Sequence, residues 1–528
     1  MTYEDPVSCL FRTDAYKLDH RRQYPPGTVR VYSNYTNRKS RMPGVNKIVH
    51  FGLQAYLQRY LMEDWTRFFV GNRSHIAATY KARVARVLGE AAAEAIGTAH
   101  IEDLHQLGYL PLRFCALPEG TLVPIRVPAF TVENTHDDFA WLTNFVETGL
   151  SAGYWQASTS ATIAHEYRKV LEDAARRTGA SLADVDYQLH DFSYRGMSSH
   201  ETAAVSGAAH LLSFRGTDSL VAIDWIDRYY GPAGDGQAAP DTHTTYALPG
   251  PLSIPATEHS VMSAGTAVSS EFETFERLLD LYPSGNVAIV SDTYDLWRVL
   301  TEYLPKLKNK ILARDGKVVV RPDSGDPEKI LCGNSDITVW SDGTGRAARC
   351  GVVNLLWEVF GGSVNEAGYK ELDPHIGVIY GDSITLDRAR SITANLERQG
   401  FASTTVILGV GSFTYQMNTR DTFGSAMKAT WCEIESSTED CEEVRTGIDL
   451  FKDPVTDDGT KKSATGRLAV YRCTEESGGI VFGRGDLTLY EKADPELEAA
   501  SLLHPVWEDG KFVRRHTFAE VREVLNGH

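Results

Sequence analysis

Residues 190–202, His-Asp-Phe-Ser-Tyr-Arg-Gly-Met-Ser-Ser-His-Glu-Thr, gather aromatic rings, a guanidinium, imidazoles and carboxylates into one short stretch, and Asp218 follows a largely apolar run. Such a set suits a flat, electron-poor ring: Phe192 can stack on its face while Arg195 and Asp218 hydrogen-bond its edge. A buried strand end with internally satisfied polar groups is the open alternative, since a short motif alone does not decide. In Ser253-Ile-Pro-Ala-Thr-Glu258-His259-Ser260 a carboxylate stands beside an imidazole. His259 could act as a general base or a phosphoryl acceptor, or could be structural. Asp292, Asp323 and Asp382 each follow an apolar run. Carboxylates converging from several strand ends would make a Mg²⁺ or ribose-hydroxyl site, because hard cations take oxygen ligands. Arg321, last in its run and close to Asp323, points to an anionic ligand, with a structural ion pair as the alternative. Gly381-Asp382-Ser383 and Gly409-Val410-Gly411-Ser412 could bring backbone N–H groups close to a phosphate, although a plain turn would explain either.

These residues need a scaffold, and from about residue 186 the sequence supplies one. Short strand candidates (187–190, 211–214, 287–291, 318–321, 376–380 and 405–408) alternate with helical stretches, the rhythm of parallel βα units. Chemistry in such folds collects at the C-terminal ends of the strands. Those ends carry Asp191, Asp218, Asp292, Arg321-Pro322-Asp323 and Gly381-Asp382. Upstream, residues 47–65, 75–98 and 139–175 show helical spacing, and 110–134 reads as short strands broken by Pro and Gly. Residues 231–251 read as an exposed loop or insertion. After about 415 the texture is mixed α+β, with a Lys-containing loop at 452–467 and a Gly-rich hairpin near 478–485. The expected division is 1–185, 186–414 and 415–528. Arg38, Arg420, Lys428, Lys452 and Lys461 lie outside the central segment, where charged side chains are usually solvated.

Composition narrows the class. A chain of 528 residues exceeds one ordinary core, so at least two packed units are expected. The net charge of −17 argues against a nucleic-acid binder, which would show a basic footprint. A few placed cations can still line a cleft for a small anion. Seven scattered cysteines without CxxC spacing disfavour a disulfide framework or a structural zinc site. No signal-peptide pattern and no apolar run of about 18 residues occurs, so a soluble, cytoplasmic protein without membrane contact is expected.

Read together, the motifs are specific. Thr13-Asp14-Ala15-Tyr16-Lys17, Gln23-Tyr24-Pro25-Pro26, Glu133-Asn134-Thr135 and Trp141-Leu142-Thr143-Asn144 resemble nicotinamide phosphoribosyltransferases. So do His190–Gly196, Gly216-Thr217-Asp218, Glu258-His259-Ser260, Ser291-Asp292, Arg321–Gly325, Gly381-Asp382, Thr419-Arg420-Asp421 and Phe451–Pro454, in the family's order and over nearly the whole chain. The resemblance implies the type II phosphoribosyltransferase architecture: an irregular α/β barrel core plus an α+β domain built from both chain ends. It implies transfer of the 5-phosphoribosyl group from phosphoribosyl pyrophosphate to nicotinamide, giving nicotinamide mononucleotide and pyrophosphate in NAD salvage. It also implies Mg²⁺, ATP as co-substrate and a homodimer with shared active sites.

By the same resemblance, Phe192 matches the aromatic under the pyridine ring and Tyr16 the opposing aromatic from the second subunit. Arg195 and Asp218 match the carboxamide contacts, with Ser253 nearby; Asp218 accepts from an amide but repels the carboxylate of nicotinate. Arg321, Asp323 and Asp382 match positions around the ribose, Asp292 and Asp323 the metal, and Gly381, Asp382, Gly411 and Ser412 the 5′-phosphate loops. Arg38, Arg420, Lys428, Lys452 and Lys461 match pyrophosphate contacts. His259, preceded by Glu258, matches the histidine that family members autophosphorylate from ATP. Gly411-Ser412-Phe413 stands where vertebrate members carry a glycine triplet, Ala426 replaces a serine, and residues 231–251 and 330–350 differ in length, closer to the bacterial or phage branch. Nicotinate phosphoribosyltransferase is the alternative within the class, with Asp218 as discriminator. A non-catalytic signalling protein with this fold is the alternative outside it, and would be expected to have lost the motif residues.

Overall fold

A computed structural model describes residues 5–231, 248, 250–337, 343–437, 443–456, 461–476 and 479–527. The chain gathers into two compact units, one formed by Met1–Thr162, Ile226–Leu248 and Asn418–His528, the other by Ile163–Trp225 and Pro249–Met417.

The second unit is built on six parallel strands: β1 (Leu189–Asp191), β2 (Gly216–Thr217), β3 (Val287–Val290), β4 (Val318–Arg321), β5 (Ile376–Tyr380) and β6 (Val406–Val410). Their order across the sheet is β2-β1-β6-β5-β4-β3. Val, Ile and Leu dominate them and β3 and β5 are buried along their length, as expected of parallel strands covered on both faces. The two edges are bridged by the extended segment 252–257. Leu252 O accepts from Thr217 N of β2 (2.9 Å), and Pro255 O accepts from Ala288 N of β3 (2.9 Å), whose carbonyl takes Thr257 N (3.0 Å). The prolines at 251 and 255 lack the donors a full strand needs, so the ring closes irregularly.

Strand 211–214 does not form. Its apolar side chains continue the helix His200–His210 into a turn, and Leu211, Leu212 and Phe214 are fully buried there; the strand in this position is the short Gly216–Thr217. Burial, not alternation, explains that run. Most of the expected loop 231–251 falls outside the described residues.

The first unit centres on seven antiparallel strands in the order Glu443–Asp449, Ser425–Ser437, Thr28–Asn37, Pro128–Asn134, Leu112–Ala116, His504–Glu508, Lys511–Phe512. Both chain ends therefore contribute to one sheet, with Asn34 opposite Lys428 and Trp507 opposite Phe512. Tyr35, Phe114, Phe130, Tyr154 and Trp507 are buried in its core. Arg467 shows what a structural charge looks like here. It lies over the Tyr32 and Trp431 rings at 4.6 and 5.0 Å and is paired with Glu133 and Glu498. Among the described residues no helix is long and apolar enough to cross a membrane.

Candidate active site

A cavity of about 460 Å³ runs inside the ring of strands. At the strands' C-terminal side it is lined by Phe192, Asp218, Ser253 and Arg321; at the other side it reaches Tyr187, Asn286, Lys317 and Thr404, which precede their strands. Between them lie Ala288, Val319, Ile379 and Ile407. The barrel interior is thus an apolar channel with polar groups at both ends, the make-up of a small-molecule site.

Strand geometry decides which side chains reach it. Successive residues point to opposite faces, so His190 and Phe192 face the cavity while Asp191 turns away. Asp191 is fully buried, accepting from Ser193 N (2.9 Å) and Thr217 Oγ1 (3.0 Å), and so locks β1 to β2. Arg321 lies with its guanidinium carbon 5.4 Å from the Phe192 ring centroid. The arginine beside Phe192 and Asp218 is therefore Arg321; Arg195, in the turn Tyr194–Gly196, is not on the cavity wall. Asp218 Oδ1 accepts from Ser253 Oγ (2.5 Å) and lies 3.0 Å from His190 Nε2. Partial burial would raise this carboxyl, but the His190 and Ser253 hydrogen bonds and the charges of His190 and Arg321 outweigh it, holding Asp218 below the ordinary aspartate value.

Beside this mouth, His259 opens the helix His259–Val268. Its Nδ1 lies 3.0 Å from Thr293 Oγ1 and its Nε2 3.1 Å from Asp323 Oδ1. The carboxylate paired with His259 is thus Asp323, whereas Glu258 accepts from the Ser260 hydroxyl. Ligand atoms of His259, Asp292 and Asp323 all lie within 4.8 Å of one another. Asp292 Oδ2 accepts from Asp323 N (2.9 Å) and Ser324 N (2.8 Å), while its Oδ1 is buried without a hydrogen-bond partner. A buried carboxylate oxygen left bare, next to a second carboxylate, fits a hard divalent cation such as Mg²⁺.

The glycine loops abut this group. A Cβ on Gly381 would stand 2.9 Å from Asp323 Cβ, one on Gly411 2.3 Å from Asp382 Oδ1, and one on Gly196 2.1 Å from Ser412 Oγ. Asp382, Gly411 and Ser412 are thereby brought together at the ends of β5 and β6.

In the first unit a separate cavity of about 170 Å³ is lined by Arg38, Arg126, Lys428 and Lys462. Lys428, opposite Asn34 on the central strand, lies 3.7 Å from Glu147. Burial pulls its ammonium below the ordinary lysine value; Glu147 opposes this, while Arg38, Lys452 and Arg420 reinforce it. Arg420 lies 3.5 Å from Asp421 at the surface, and Lys452 pairs its backbone with Ser463. Lys461 is not among the cavity's lining residues; Lys462 is. Tyr16 is largely exposed, its hydroxyl 3.1 Å from Asp14 Oδ2.

Comparison with known proteins agrees with this geometry. The profile of the nicotinate phosphoribosyltransferase (NAPRTase) family matches residues 187–504, and that of the nicotinamide phosphoribosyltransferase N-terminal domain matches residues 8–72. A nicotinamide phosphoribosyltransferase of Acinetobacter baylyi is 48% identical, the match covering 98% of this chain and 97% of the relative. The chain belongs to the nicotinamide phosphoribosyltransferase family. Relatives of that name in Mycoplasma pneumoniae and Xanthomonas campestris are 33% and 32% identical over 87% and 97% of the chain, covering 95% and 97% of their own lengths. Two solved structures share the fold at 14% identity. One is nicotinate-nucleotide pyrophosphorylase from Pyrococcus furiosus (TM-score 0.54, covering 100% of this chain and 96% of that one). The other is human nicotinic acid phosphoribosyltransferase (TM-score 0.50, covering 97% and 93%). The architecture is therefore that of the type II phosphoribosyltransferases, as the motifs imply.

Four side chains stand at these sites that motif reading passes over: His190, Thr293, Arg126 and Lys462. His190 was within reach, since a strand that presents Phe192 must present His190 on the same face. Lys462 lies in the lysine-containing loop 452–467, beside Lys461; nothing local marks Thr293 or Arg126.

Proposed function

We propose that this chain transfers the 5-phosphoribosyl group of phosphoribosyl pyrophosphate to nicotinamide, forming nicotinamide mononucleotide and pyrophosphate for NAD salvage. The observation that carries this reading is the pairing of Phe192 with an ionised Asp218 at the mouth of an apolar channel. A flat ring bearing a neutral amide fits there; a carboxylate would meet a like charge. In the transfer, the pyridine nitrogen's electron pair forms the new N–C bond as the C–O bond to pyrophosphate breaks, and that bond's electrons leave with pyrophosphate. Positive charge builds on the ribose, where Asp323 and Asp382 would offset it. Alignment of ring and donor would supply much of the remaining acceleration. Asp292 Oδ1 and Asp323 would hold Mg²⁺, which when bound neutralises phosphate charge. Arg38, Lys428, Arg420 and Lys452 are proposed to bind the leaving pyrophosphate, and a second copy of the chain to contribute them, together with Tyr16, in a homodimer. His259, its two nitrogens facing Thr293 and Asp323, is proposed to accept the γ-phosphoryl group of ATP, with ADP leaving and water later releasing phosphate.

Product analysis with labelled nicotinamide, phosphoribosyl pyrophosphate and Mg²⁺, with and without ATP, tests the reading. Labelled mononucleotide is the expected product; nicotinate used as well as nicotinamide would overturn the base assignment. His259→Ala should abolish ATP hydrolysis and leave slow, ATP-independent synthesis, and undiminished ATP hydrolysis would remove His259 from the phosphoryl transfer.

A further inference from the structure

Asp218 by itself does not explain selectivity. A carboxylate has two oxygens and about four acceptor sites, rotates about its side-chain bonds, and, once protonated, can donate to the very carboxylate it is meant to exclude. The structure restricts these freedoms through two neighbours on one oxygen. His190 Nε2 lies 3.0 Å from Asp218 Oδ1, and Ser253 Oγ donates to the same atom. Oδ2 has no hydrogen bond from the described residues. The imidazole is itself fixed. It lies 4.5 Å from the Phe192 ring on one side and over Gly216 on the other, where a Cβ would come within 2.6 Å of its Nδ1. Gly216 is pinned in turn by its carbonyl, 3.0 Å from the Nε2 of buried His210, whose Nδ1 lies 2.7 Å from Tyr415 Oη.

We infer that His190 is the residue that sets base selectivity, by occupying Asp218 Oδ1 together with Ser253 so that Oδ2 is the single acceptor offered to an incoming amide. This rests on the reading of the cavity as the nicotinamide site and deepens it. With His190 in place Asp218 is both oriented and kept ionised, so an amide N–H is accepted and a carboxylate is repelled. Without it the carboxyl can turn, and with only Ser253 and the Arg321 charge left to oppose burial it takes up a proton more readily. A protonated Asp218 donates its O–H to nicotinate, and discrimination is lost. His190 acts through Asp218 and so is a positioning residue.

The test is the ratio of kcat/KM for nicotinamide to that for nicotinate, measured across pH for the full-length protein with phosphoribosyl pyrophosphate and Mg²⁺. His190→Phe fills the space but carries no donor; the ratio should fall about tenfold, the worth of one charge-assisted hydrogen bond. The fall should deepen as pH is lowered, because the unsupported carboxyl protonates. His190→Gln returns an N–H near the same position and should restore most of the ratio. Ser253→Ala, at an exposed position, removes the other donor to Oδ1 and should lower the ratio by a smaller factor even if His190→Phe does not fold. An unchanged ratio in His190→Phe, or His190→Gln behaving like His190→Phe, overturns the inference. A wild-type protein that forms no mononucleotide from nicotinamide overturns the functional reading instead, so the two failures are distinguishable.

Discussion

The two units carry opposite chemistry at their candidate sites. In the barrel unit, Asp218, Asp292, Asp323 and Asp382 follow strand ends, and Asp218 lines an apolar channel with Arg321 at the same end and Lys317 at the other. In the other unit, Arg38, Arg126, Lys428 and Lys462 line one cavity, and Lys428 loses proton affinity to burial and to the charges around it. Each arrangement is electrostatically uneasy in isolation: one holds a bare buried carboxylate oxygen, the other like charges crowded together. In the proposed function each would be relieved by a ligand of opposite sign: Mg²⁺ at the bare Asp292 oxygen, the developing charge of the ribose at Asp323 and Asp382, and the leaving pyrophosphate at the cations. On that proposal charge sign, more than fold, divides the labour of the reaction.

The sharpest way to break this division is to remove a carboxylate. Asp323 stands 3.1 Å from His259 and 4.0 Å from the Arg321 guanidinium, so Asp323→Ala strips both of a partner. Its kcat/KM should fall by about a hundredfold to a thousandfold, the scale of losing one preorganised electrostatic group. A fall under threefold would detach the carboxylate group from the chemistry.

The shared-site proposal comes next. A Tyr16→Ala, Arg420→Ala chain and an Asp323→Ala chain should each be nearly inactive. Mixed, they should recover about one site in four, because half the dimers are mixed and each has one intact site. No recovery, with subunit exchange confirmed by mass spectrometry, would mean that each chain builds its own site.

A subtler test uses Lys428. Its ammonium must be charged to hold an anion, and burial lowers the pH at which that charge is lost. Affinity for inorganic pyrophosphate should therefore decline as pH rises, before the ordinary lysine value of about 10.4 is reached. Lys428→Arg keeps its charge throughout and should flatten this decline by calorimetry. An unaltered profile would assign the pH dependence to another group.

How much of this was legible in the sequence follows from how each residue is held. β3, β4 and β5 announce themselves as short Val/Ile-rich runs that end in Arg or are followed two residues on by Asp, because a strand buried on both faces has little freedom in composition. The sheet built from both chain ends is not visible locally, since pairing Asn34 with Lys428 depends on contacts almost four hundred residues apart. The same limit applies within the sites. Asp292 and Asp323 could be chosen by position, but that Asp191 is a lock and that Asp323, not Glu258, meets His259 depends on which way each side chain points. That Arg321 lies over the Phe192 ring is a three-dimensional fact of the same kind.

Backbone strain offers the smallest and last test, because both regions contain it. Among the described residues four non-glycine residues have φ in the left-handed region, and two belong to these sites: Arg126 at +73° and Ser383, beside Asp382, at +67°. Arg126 occupies the third position of a turn closed by Val127 N donating to Pro124 O (3.1 Å), a place that favours glycine. Its own N–H donates to Asn37 O (2.7 Å), so the backbone is tied there while the side chain lines the basic cavity. Strain kept at such a position is informative when relieving it costs function. Arg126→Gly removes the left-handed penalty of about 1–2 kcal/mol and adds unfolded-chain entropy worth about 0.5–1 kcal/mol, for a net stabilisation of about 0.5 kcal/mol. Ser383→Gly should stabilise by a similar amount. Arg126→Gly should also weaken pyrophosphate binding, by about threefold for one exposed charge. Denaturant melts and calorimetry on the two variants check both halves. If Arg126→Gly is stabilised and binds pyrophosphate as tightly as before, the strain at this turn has no connection with the anion.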